Sequence, residues 1–430
     1  MQLTAEQQAI GRRNFLKALA GTPALGLLGA AAAMKGPVPG GPVRMGVIGV
    51  GGQGRALLNN TDPAFAEITA LCDINPDQLK RADKALAGRS LPPATHYVEW
   101  KEMLEKENLE AVMIGVPLWA HADVAVGCLD AGKHVLCEKM MAWDFEGCER
   151  MTRAAEKAGR LLEIGYQRRY NGVYQAAYDG IVRKGLLGDV YHVRMTWHRN
   201  GNWRRAGTPP SPDYNPSKWG YPTFEHLLNW RLYWKYSQGL FAELASHQLN
   251  AANWFLGSAP EAVTATGGVH RFNDGREVPD HIYAIWEYPG GRTATYSSIE
   301  SNALEDRYEV FFGTRATLLV RRENEALLFE EGSAANRETG VQVTPRDSGP
   351  AAESSETRPG NTSAGGAASA TPADAAAGAR PAATRQEISR FCAAVRVGTP
   401  LACGPHEAMH SARACIRANE AIQKKARLAI

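Results

Sequence analysis

The sequence feature that most constrains the fold is a glycine-rich turn at the end of an apolar run. Residues 43–50 are apolar and rich in β-branched side chains, as in a buried parallel strand. The turn that overlaps the end of this run has the sequence Gly49-Val50-Gly51-Gly52-Gln53-Gly54. A helical pattern over 55–60 follows directly. Glycines between a strand and a helix let a diphosphate approach the backbone at the helix N-terminus, so the turn predicts a dinucleotide site.

An acidic residue stands at a fitting distance after this turn. A second apolar run, 67–71, ends at Cys72-Asp73, and Asp73 lies nineteen residues beyond Gly54. A carboxylate at this place accepts hydrogen bonds from the adenosine ribose hydroxyls and repels a 2′-phosphate. Because no arginine follows immediately, we expect NAD rather than NADP as the cofactor. The alternative is an ordinary turn followed by a surface aspartate.

Strand and helix patterns alternate through the N-terminal part of the chain. Further strand-like runs cover 111–116, 134–137 and 161–165, and helical patterns cover 120–131 and 145–158. Such alternation indicates an α/β fold, with a doubly wound parallel sheet of the Rossmann type that we place at 34–165.

The pattern changes after this domain. Strand-like runs separated by turns cover 190–197, 262–269, 281–288, 293–299, 308–312 and 316–320. Successive strands without intervening helices indicate an α+β domain with a largely antiparallel, open sheet at 166–331. Residues 332–384 are rich in Ala, Gly, Ser, Thr and Pro, which predicts a disordered insertion because there is too little apolar surface to offset ordering. Helical patterns at 385–397 and 406–426 predict C-terminal helices within 385–430 that pack back on the body.

The N-terminal segment is similar to a twin-arginine export signal. Residues 11–17 read Gly-Arg-Arg-Asn-Phe-Leu-Lys and precede a weakly apolar stretch, with Ala31-Ala32-Ala33 as a cleavage site. We therefore interpret 1–33 as a signal outside the fold and expect a periplasmic or otherwise exported protein. The alternative is an amphipathic N-terminal helix. Because free nicotinamide cofactor is not expected outside the cytoplasm, an exported enzyme would have to retain NAD and regenerate it within each turnover.

Charge and cysteine content exclude several classes of protein. The formal net charge is +3 without a basic stripe, so we expect no nucleic-acid partner. The seven cysteines are odd in number and lack CxxC spacing, which favours buried thiols over disulfides or a zinc site, and we expect no metal. Beyond the leader, no apolar run is long enough for a stable membrane anchor.

Two motifs carry the candidate chemistry. Glu138-Lys139 follows the run 134–137, and in a doubly wound sheet the carboxyl ends of strands face the cofactor crevice. A lysine there can steady a developing alkoxide, and the glutamate can reach the nicotinamide ribose. Glu243 and His247 are four residues apart and therefore lie on one helical face, where a neutral imidazole is a general base near neutral pH. Taken singly, each pair is also compatible with a purely structural or surface role.

Together these motifs resemble the glucose–fructose oxidoreductase, inositol dehydrogenase and MocA (Gfo/Idh/MocA) family. The resemblance runs from about 43 to 331 and resumes at 385. It implies that Lys139 is the catalytic lysine, that His247 is the acid–base residue, and that Glu243 holds a position usually taken by Asp. Further carriers of the resemblance are Val116-Pro117-Leu118-Trp119-Ala120-His121 and the segment 131–139.

The resemblance also assigns residues along the cofactor, with two departures. Pro117, Trp119 and His121 are implied to lie beside it, and we expect Gln167 to contact it as well. Met140 stands where the family usually has Pro, which can alter the loop that presents the lysine. A second departure is Asn250, which stands where an acidic residue is frequent.

The substrate-binding residues are expected among aromatic and multidentate side chains. Carbohydrate sites pair flat rings with arginine or amide donors, a combination found at Trp203-Arg204-Arg205 and in the run Asn229-Trp230-Arg231-Leu232-Tyr233-Trp234. We add Arg168 and Tyr170, which we expect at the junction of the two domains. Core packing is the alternative for each tryptophan.

Three functions remain open at this stage. The first is an NAD-dependent oxidoreductase acting on a sugar or polyol, and the second is an NAD-dependent glycoside hydrolase that oxidises a carbinol transiently, eliminates the aglycone, adds water and reduces back. The third is a non-catalytic sugar- or nucleotide-binding protein. Expected partners are a sugar, polyol or glycoside, the twin-arginine export machinery and further copies of the chain in a homo-oligomer.

Overall fold

The structure consists of two packed domains and an N-terminal helix. The computed structural model describes residues 3–23, 39–332 and 372–430, with the backbone alone over 372–379. The α-helices of these ranges are α1 (Ala5–Leu19), α2 (Gly52–Asn60), α3 (Pro76–Ala87), α4 (Trp100–Lys106), α5 (His121–Asp130), α6 (Phe145–Ala158), α7 (Gly172–Ala177), α8 (Phe224–Leu228), α9 (Ser246–Leu256), α10 (Pro372–Val397) and α11 (Pro405–Lys424). None of them is long and apolar enough to cross a lipid bilayer.

The first domain is a parallel sheet with helices on both faces. Its strands are β1 (Val43–Ile48), β2 (Ala66–Cys72), β3 (Thr95–Tyr97), β4 (Ala111–Ile114), β5 (His134–Glu138) and β6 (Leu162–Gly165). They are paired in parallel in the order β3-β2-β1-β4-β5-β6, which confirms the predicted doubly wound sheet. Helices α2, α3 and α10 cover one face, and α4, α5 and α6 cover the other. The strand order reverses between β1 and β4, and ligands bind beyond the carboxyl ends of strands at such a point.

The second domain is an eight-stranded, largely antiparallel sheet, as predicted. Its strands are β7 (Val190–Asn200), β8 (Ala262–Gly268), β9 (His281–Tyr288), β10 (Arg292–Ile299), β11 (Ser301–Gly313), β12 (Ala316–Arg321), β13 (Glu325–Glu330) and β14 (Leu428–Ala429). Their order is β13-β12-β11-β7-β10-β9-β8-β14, and only the β7–β10 pair is parallel among them. Helices α9 and α11 pack against the covered face, whereas Tyr283 and Ile285 are exposed.

The N-terminal helix α1 packs on the second domain. Phe15 and Leu19 are buried, and a Cβ on Gly11 would lie 2.7 Å from the ring of Phe329 on β13. The spacing of four between these three residues places them on one helical face. The structure thus differs from the expectation that 1–33 takes no part in the fold, because α1 packs on β13. The predicted cleavage site lies outside the described residues.

The start of α10 differs from the predicted boundary of the insertion. The helix begins at Pro372, inside the range 332–384 that the sequence predicts to be disordered. The run 373–383 is rich in alanine, which has the highest helix propensity, and this favours helix where composition alone indicates disorder. The remainder of the predicted insertion, 333–371, lies outside the described residues.

Candidate active site

A cleft of about 760 Å³ lies beyond the carboxyl ends of β1, β2, β4 and β5, between the two domains. The first domain contributes the glycine-rich turn, Asp73, the segment after β4 and the Glu138-Lys139 pair. The second domain contributes side chains from the end of β7, from the loop that follows it and from the start of α9. The cleft therefore joins the predicted cofactor residues to candidate substrate residues that are distant in sequence.

The glycine-rich turn fits a bound diphosphate. Gly49 has a φ of 83°, and a Cβ on Gly54 would lie 1.9 Å from the Gly49 carbonyl oxygen, so these two glycines permit the tight turn. By contrast, a Cβ on Gly51 or Gly52 would meet nothing within 4 Å, because both face the open cleft. The turn at the N-terminus of α2 thus has free space on the side where helix N–H groups attract phosphate.

Asp73 follows β2 directly and lines the cleft beside the glycine-rich turn. Its Oδ2 accepts a hydrogen bond from the Val50 N–H at 2.9 Å, and its Oδ1 accepts one from the Asn75 N–H at 2.8 Å. Burial raises the pKa of the Asp73 carboxyl to about 6, although the two N–H donors oppose this shift. These bonds fix the carboxylate beside the glycine-rich turn, as ribose recognition requires.

Glu138 and Lys139 both line the cleft. The Gln53 side chain donates a hydrogen bond to Glu138 Oε1 at 2.7 Å and so links this glutamate to the glycine-rich turn. Lys139 Nζ donates to the backbone carbonyls of Ala242 at 3.0 Å and Glu243 at 2.9 Å. Burial lowers the pKa of the Lys139 amine, and the nearby carboxylates of Glu243 and Glu138 only partly oppose this shift. Lys139 is therefore held across the domain boundary with one N–H left to donate.

Glu243 and His247 reach the same point of the cleft from a π-helical turn. This turn, Phe241–Ala245, leads directly into α9, and such turns are frequent at functional sites. Glu243 Oε2 accepts a hydrogen bond from Arg231 Nε at 2.8 Å. Burial raises the pKa of Glu243, but the charges of Arg231 and Lys139 outweigh burial and hold it below its usual value. Glu243 thus positions two cations rather than the histidine.

His247 is enclosed and uncharged. It is 3% exposed, and its Nδ1 has no hydrogen-bond partner within the described ranges. The rings of Tyr166 and Trp197 lie 6.2 and 6.0 Å from the imidazole, centroid to centroid. Burial lowers the pKa of His247 well below its usual value, and the charge of Lys139 adds to this effect. A neutral imidazole beside a lysine can accept a proton from a substrate hydroxyl.

The segment after β4 supports both the cofactor side of the cleft and the lysine. Pro117, Trp119 and His121 line the cleft as the resemblance implies. Trp119 Nε1 donates to the Tyr221 hydroxyl at 2.7 Å, which joins the two domains. The His121 ring nitrogens lie 2.9 Å from the Met140 carbonyl oxygen and 3.1 Å from that of Val116. His121 therefore holds the loop that follows Lys139, at the place where Met140 replaces the usual proline.

Two stacked arginine–tryptophan pairs form the wall opposite the first domain. The Arg231 guanidinium lies 4.2 Å from the Trp230 ring centroid, and that of Arg199 lies 3.5 Å from the Trp203 ring centroid. Arg199 also forms an ion pair with buried Glu300. Trp203 has a φ of 61°, a left-handed backbone conformation that is uncommon for a bulky residue and clusters at functional sites.

Five predicted contact residues do not line the cleft: Gly54, which packs against the Gly49 carbonyl inside the turn, and four residues with polar side chains. Gln167, Arg168 and Tyr170 are buried beneath the cleft: Arg168 forms ion pairs with Glu309 and Glu323, and the Tyr170 hydroxyl donates to Glu163 at 2.7 Å. The Arg204 guanidinium is engaged by Glu225 and Asp274 outside the cleft. The side chains of Arg168, Tyr170 and Arg204 satisfy buried or inter-loop partners that their local sequence does not reveal.

The structure also adds two residues that the sequence does not single out. Arg199 and Trp197 line the cleft, as does Arg205 of the predicted Trp203-Arg204-Arg205 run. Arg199 and Trp197 lie on β7, outside any such run. Within the described ranges, no group of three or more His, Cys, Asp or Glu side chains is arranged to hold a metal ion.

Comparison with known proteins identifies both domains. Residues 43–166 match the model of an oxidoreductase family with an NAD-binding Rossmann fold, and residues 176–319 match the GFO/IDH/MocA C-terminal domain. The myo-inositol 2-dehydrogenase of Thermotoga maritima is 26% identical over 230 residues, which are 53% of this chain and 59% of that protein. The chain thus spans less than two thirds of this relative.

Two further comparisons extend over more of the chain. The 2,7-anhydro-N-acetylneuraminate hydratase of Escherichia coli is 24% identical over 292 residues, which are 66% of this chain and 69% of that protein. The crystal structure of a WlbA dehydrogenase in complex with NADH and UDP-GlcNAcA superposes with a TM-score of 0.66. That match covers 93% of this chain and 99% of the other at 19% identity, and it therefore shows a shared fold.

Proposed function

Because the chain belongs to the GFO/IDH/MocA oxidoreductase family, we propose that it oxidises a carbinol of a sugar or polyol in an NAD-dependent reaction. The observation that carries this proposal is the meeting of Lys139, Glu243 and His247 in one cleft, beside the glycine-rich turn and Asp73. The myo-inositol 2-dehydrogenase relative supports a polyol or sugar as the substrate class.

The proposed chemistry divides between the lysine and the histidine. His247 removes the proton of the substrate hydroxyl, because its buried imidazole is neutral and can act as a base. Lys139 donates its remaining N–H to the same oxygen and stabilises the negative charge that develops there. Bound NAD would supply the acceptor for the hydride that leaves the carbinol carbon. Glu243 keeps Lys139 and Arg231 in place through its charge and its hydrogen bond to Arg231.

We also propose that the protein is exported and keeps its cofactor. Arg12 and Arg13 of the twin-arginine motif are both exposed, although Arg12 is 2.8 Å from Glu325 of β13. An exported protein meets no free nicotinamide pool, so retention of NAD with reduction of a second sugar or ketone in the same cleft would complete the cycle. Native mass spectrometry of the purified protein tests retention directly, and a mass without NAD contradicts it.

Self-association is the third part of the proposal. The uncovered face of the second sheet exposes Tyr283 and Ile285, of which Ile285 is 48% accessible. Exposed apolar residues on an open sheet favour pairing with another sheet of the same kind. We therefore propose a homo-oligomer that buries this face.

A second candidate function is supported by the hydratase relative. The relative is named for a hydration rather than for a net oxidation. In a glycoside hydrolase of this kind, transient oxidation of the sugar would precede elimination of the aglycone, addition of water and reduction back to a carbinol. His247 and Lys139 would then serve at the same carbinol oxygen, with no net change in redox state.

Turnover by defined variants tests the proposed reaction. A panel of sugars, polyols and aryl glycosides is screened with the parent protein and with Lys139→Met, His247→Gln and the double variant. Each single change should lower turnover by roughly 10²–10⁴-fold, and the double variant should be little worse than the poorer single one. Release of aglycone without net NADH identifies the hydrolase, whereas conversion of an alcohol to a ketone identifies the oxidoreductase.

The control for the histidine is His406→Gln, because His406 is exposed on α11 and pairs with Glu156 far from the cleft. This variant should turn over the same substrate at the parent rate. Parent-like turnover in His247→Gln would remove His247 as the acid–base residue and return the pair with Glu243 to a structural role.

A further inference from the structure

The backbone of Arg205 is fixed in the loop after β7. Its N–H donates to Asn229 Oδ1 at 2.7 Å, and its carbonyl accepts from Asn229 Nδ2 at 3.1 Å. Asn229 is itself buried and donates to Glu225 at 3.3 Å. A loop held by paired backbone bonds presents its side chain in a defined direction, and the Arg205 side chain lines the cleft.

Among the cations described above, Arg205 differs from Arg231, Arg199 and Lys139 in having no hydrogen-bond or ion-pair partner for its side chain within the described residues. Arg231 pairs with Glu243, Arg199 pairs with Glu300, and Lys139 donates to two carbonyls. The Arg205 guanidinium forms no hydrogen bond or ion pair with any side chain or carbonyl of the described residues. Five N–H donors of a group that stays charged are therefore available to a ligand.

The surroundings place this guanidinium between the two ends of the cleft. The charges of Arg231 and Glu243 act on it from the substrate end, and Arg55 at the start of α2 acts on it from the side of the glycine-rich turn. Arg205 is exposed to solvent, and the carboxylate of Glu243 offsets part of the repulsion from Arg231 and Arg55. Its N–H donors are therefore open to the cleft, and an anion bound there would form charge-assisted hydrogen bonds with them.

We propose that Arg205 binds an anionic group inside the cleft, either the diphosphate of NAD or an acidic substituent, such as a carboxylate, on the sugar substrate. The guanidinium fork matches both anions in a bidentate geometry. The substrate half of this inference rests on the proposed sugar oxidation, whereas the diphosphate half requires only the NAD-binding domain.

Binding measurements on one set of variants separate the two anions. Arg205→Gln removes the charge, Arg205→Lys keeps it, and Arg271→Gln removes an exposed arginine outside the cleft as the control. In the first arm, NAD affinity is measured by calorimetry after the cofactor has been removed. In the second arm, NAD-saturated protein is titrated with D-glucuronate and with D-glucose, and the fluorescence of the cleft tryptophans is followed.

In one of the two arms, Arg205→Gln should lower the binding affinity by roughly tenfold to 100-fold. Arg205→Lys should recover part of this affinity, and Arg271→Gln should leave it unchanged. Weaker NAD binding identifies the diphosphate, and weaker glucuronate binding with unchanged glucose binding identifies a substrate carboxylate. Unchanged affinities in both arms, or absence of glucuronate binding together with unchanged NAD affinity, overturn the proposal. Both arms measure binding and need no turnover, so they can be repeated in His247→Gln. The role of Arg205 can therefore be judged even if the proposed reaction is not observed.

Discussion

Arg168 offers the sharpest test of whether a predicted substrate residue is instead part of the core. Its guanidinium is fully enclosed, with Nη1 bonded to Glu309 and with Nη2 and Nε 3.0 and 3.3 Å from Glu323 Oε1. Arg168→Met keeps the approximate length of the side chain but leaves two buried carboxylates without their cation. The Tyr174 hydroxyl still donates to Glu309 at 2.6 Å, which limits the loss.

The magnitude follows from the cost of an unpaired buried charge. Removing one partner of a buried ion pair costs about 3–5 kcal/mol of unfolding free energy. With a melting-temperature shift of about 2–4 °C per kcal/mol, the midpoint of thermal unfolding should fall by roughly 6–20 °C. The control is Arg183→Met, which breaks an exposed pair with Asp179 and should leave the midpoint of thermal unfolding close to that of the parent.

The stability lost in Arg168→Met should also depend on pH. Burial raises the pKa of Glu323, but the charge and hydrogen bond of Arg168, together with the charges of Arg380 and Arg307, outweigh burial and hold this pKa below its usual value. In the parent, this carboxylate contributes stability above its unfolded pKa, and the contribution is lost as the pH falls through the lower folded pKa. In Arg168→Met burial dominates and the pKa of Glu323 rises, so protonation relieves the variant first. The stability gap should therefore be widest near pH 7 and narrow towards about pH 4.

The difference in stability between the parent and Arg168→Met is measured at each pH by chemical and thermal denaturation, with circular dichroism as the signal. An Arg168→Met protein within about 1 kcal/mol of the parent at neutral pH, but with weakened sugar binding, would refute the structural assignment. It would instead support the substrate contact that the sequence suggests.

Three further predictions concern the cofactor, the leader and the exposed sheet. Asp73→Ala should weaken NAD retention and reduce the preference for NAD over NADP, because the ribose hydroxyls lose their hydrogen-bond acceptor. If titrations give the variant the same ratio of NAD to NADP affinity as the parent, Asp73 does not recognise the ribose. Changing Arg12 and Arg13 together to Lys should leave precursor in the cytoplasm by cell fractionation, and normal export of this variant would contradict the signal. Ile285→Glu should shift the protein towards monomer in analytical ultracentrifugation, whereas Val397→Glu, at an exposed apolar position off the sheet, should not. An unchanged oligomer in the first variant would place the interface elsewhere.

The cofactor-binding half of the molecule was predictable because its signals are local. A buried strand, a tight glycine turn and a helix N-terminus require particular residues within a dozen positions, and Gly49 and Gly54 show why in the close approach of their backbones. Likewise, Lys139 follows a strand whose carboxyl end must face the crevice of a parallel sheet. Glu243 and His247 share a helical face through their spacing alone, and both reach the cleft.

Tertiary structure alone decided which polar residues face the cleft and which are buried or paired. Arg168 meets Glu309 across 141 positions of sequence, and Arg204 meets Asp274 across 70, so nothing in their neighbourhood distinguishes them from Arg205. A cation is free for a ligand only if folding brings it no carboxylate, and that depends on strands and loops far along the chain. The sequence therefore determined where the chemistry lies, whereas packing determined which of two adjacent arginines is available for it.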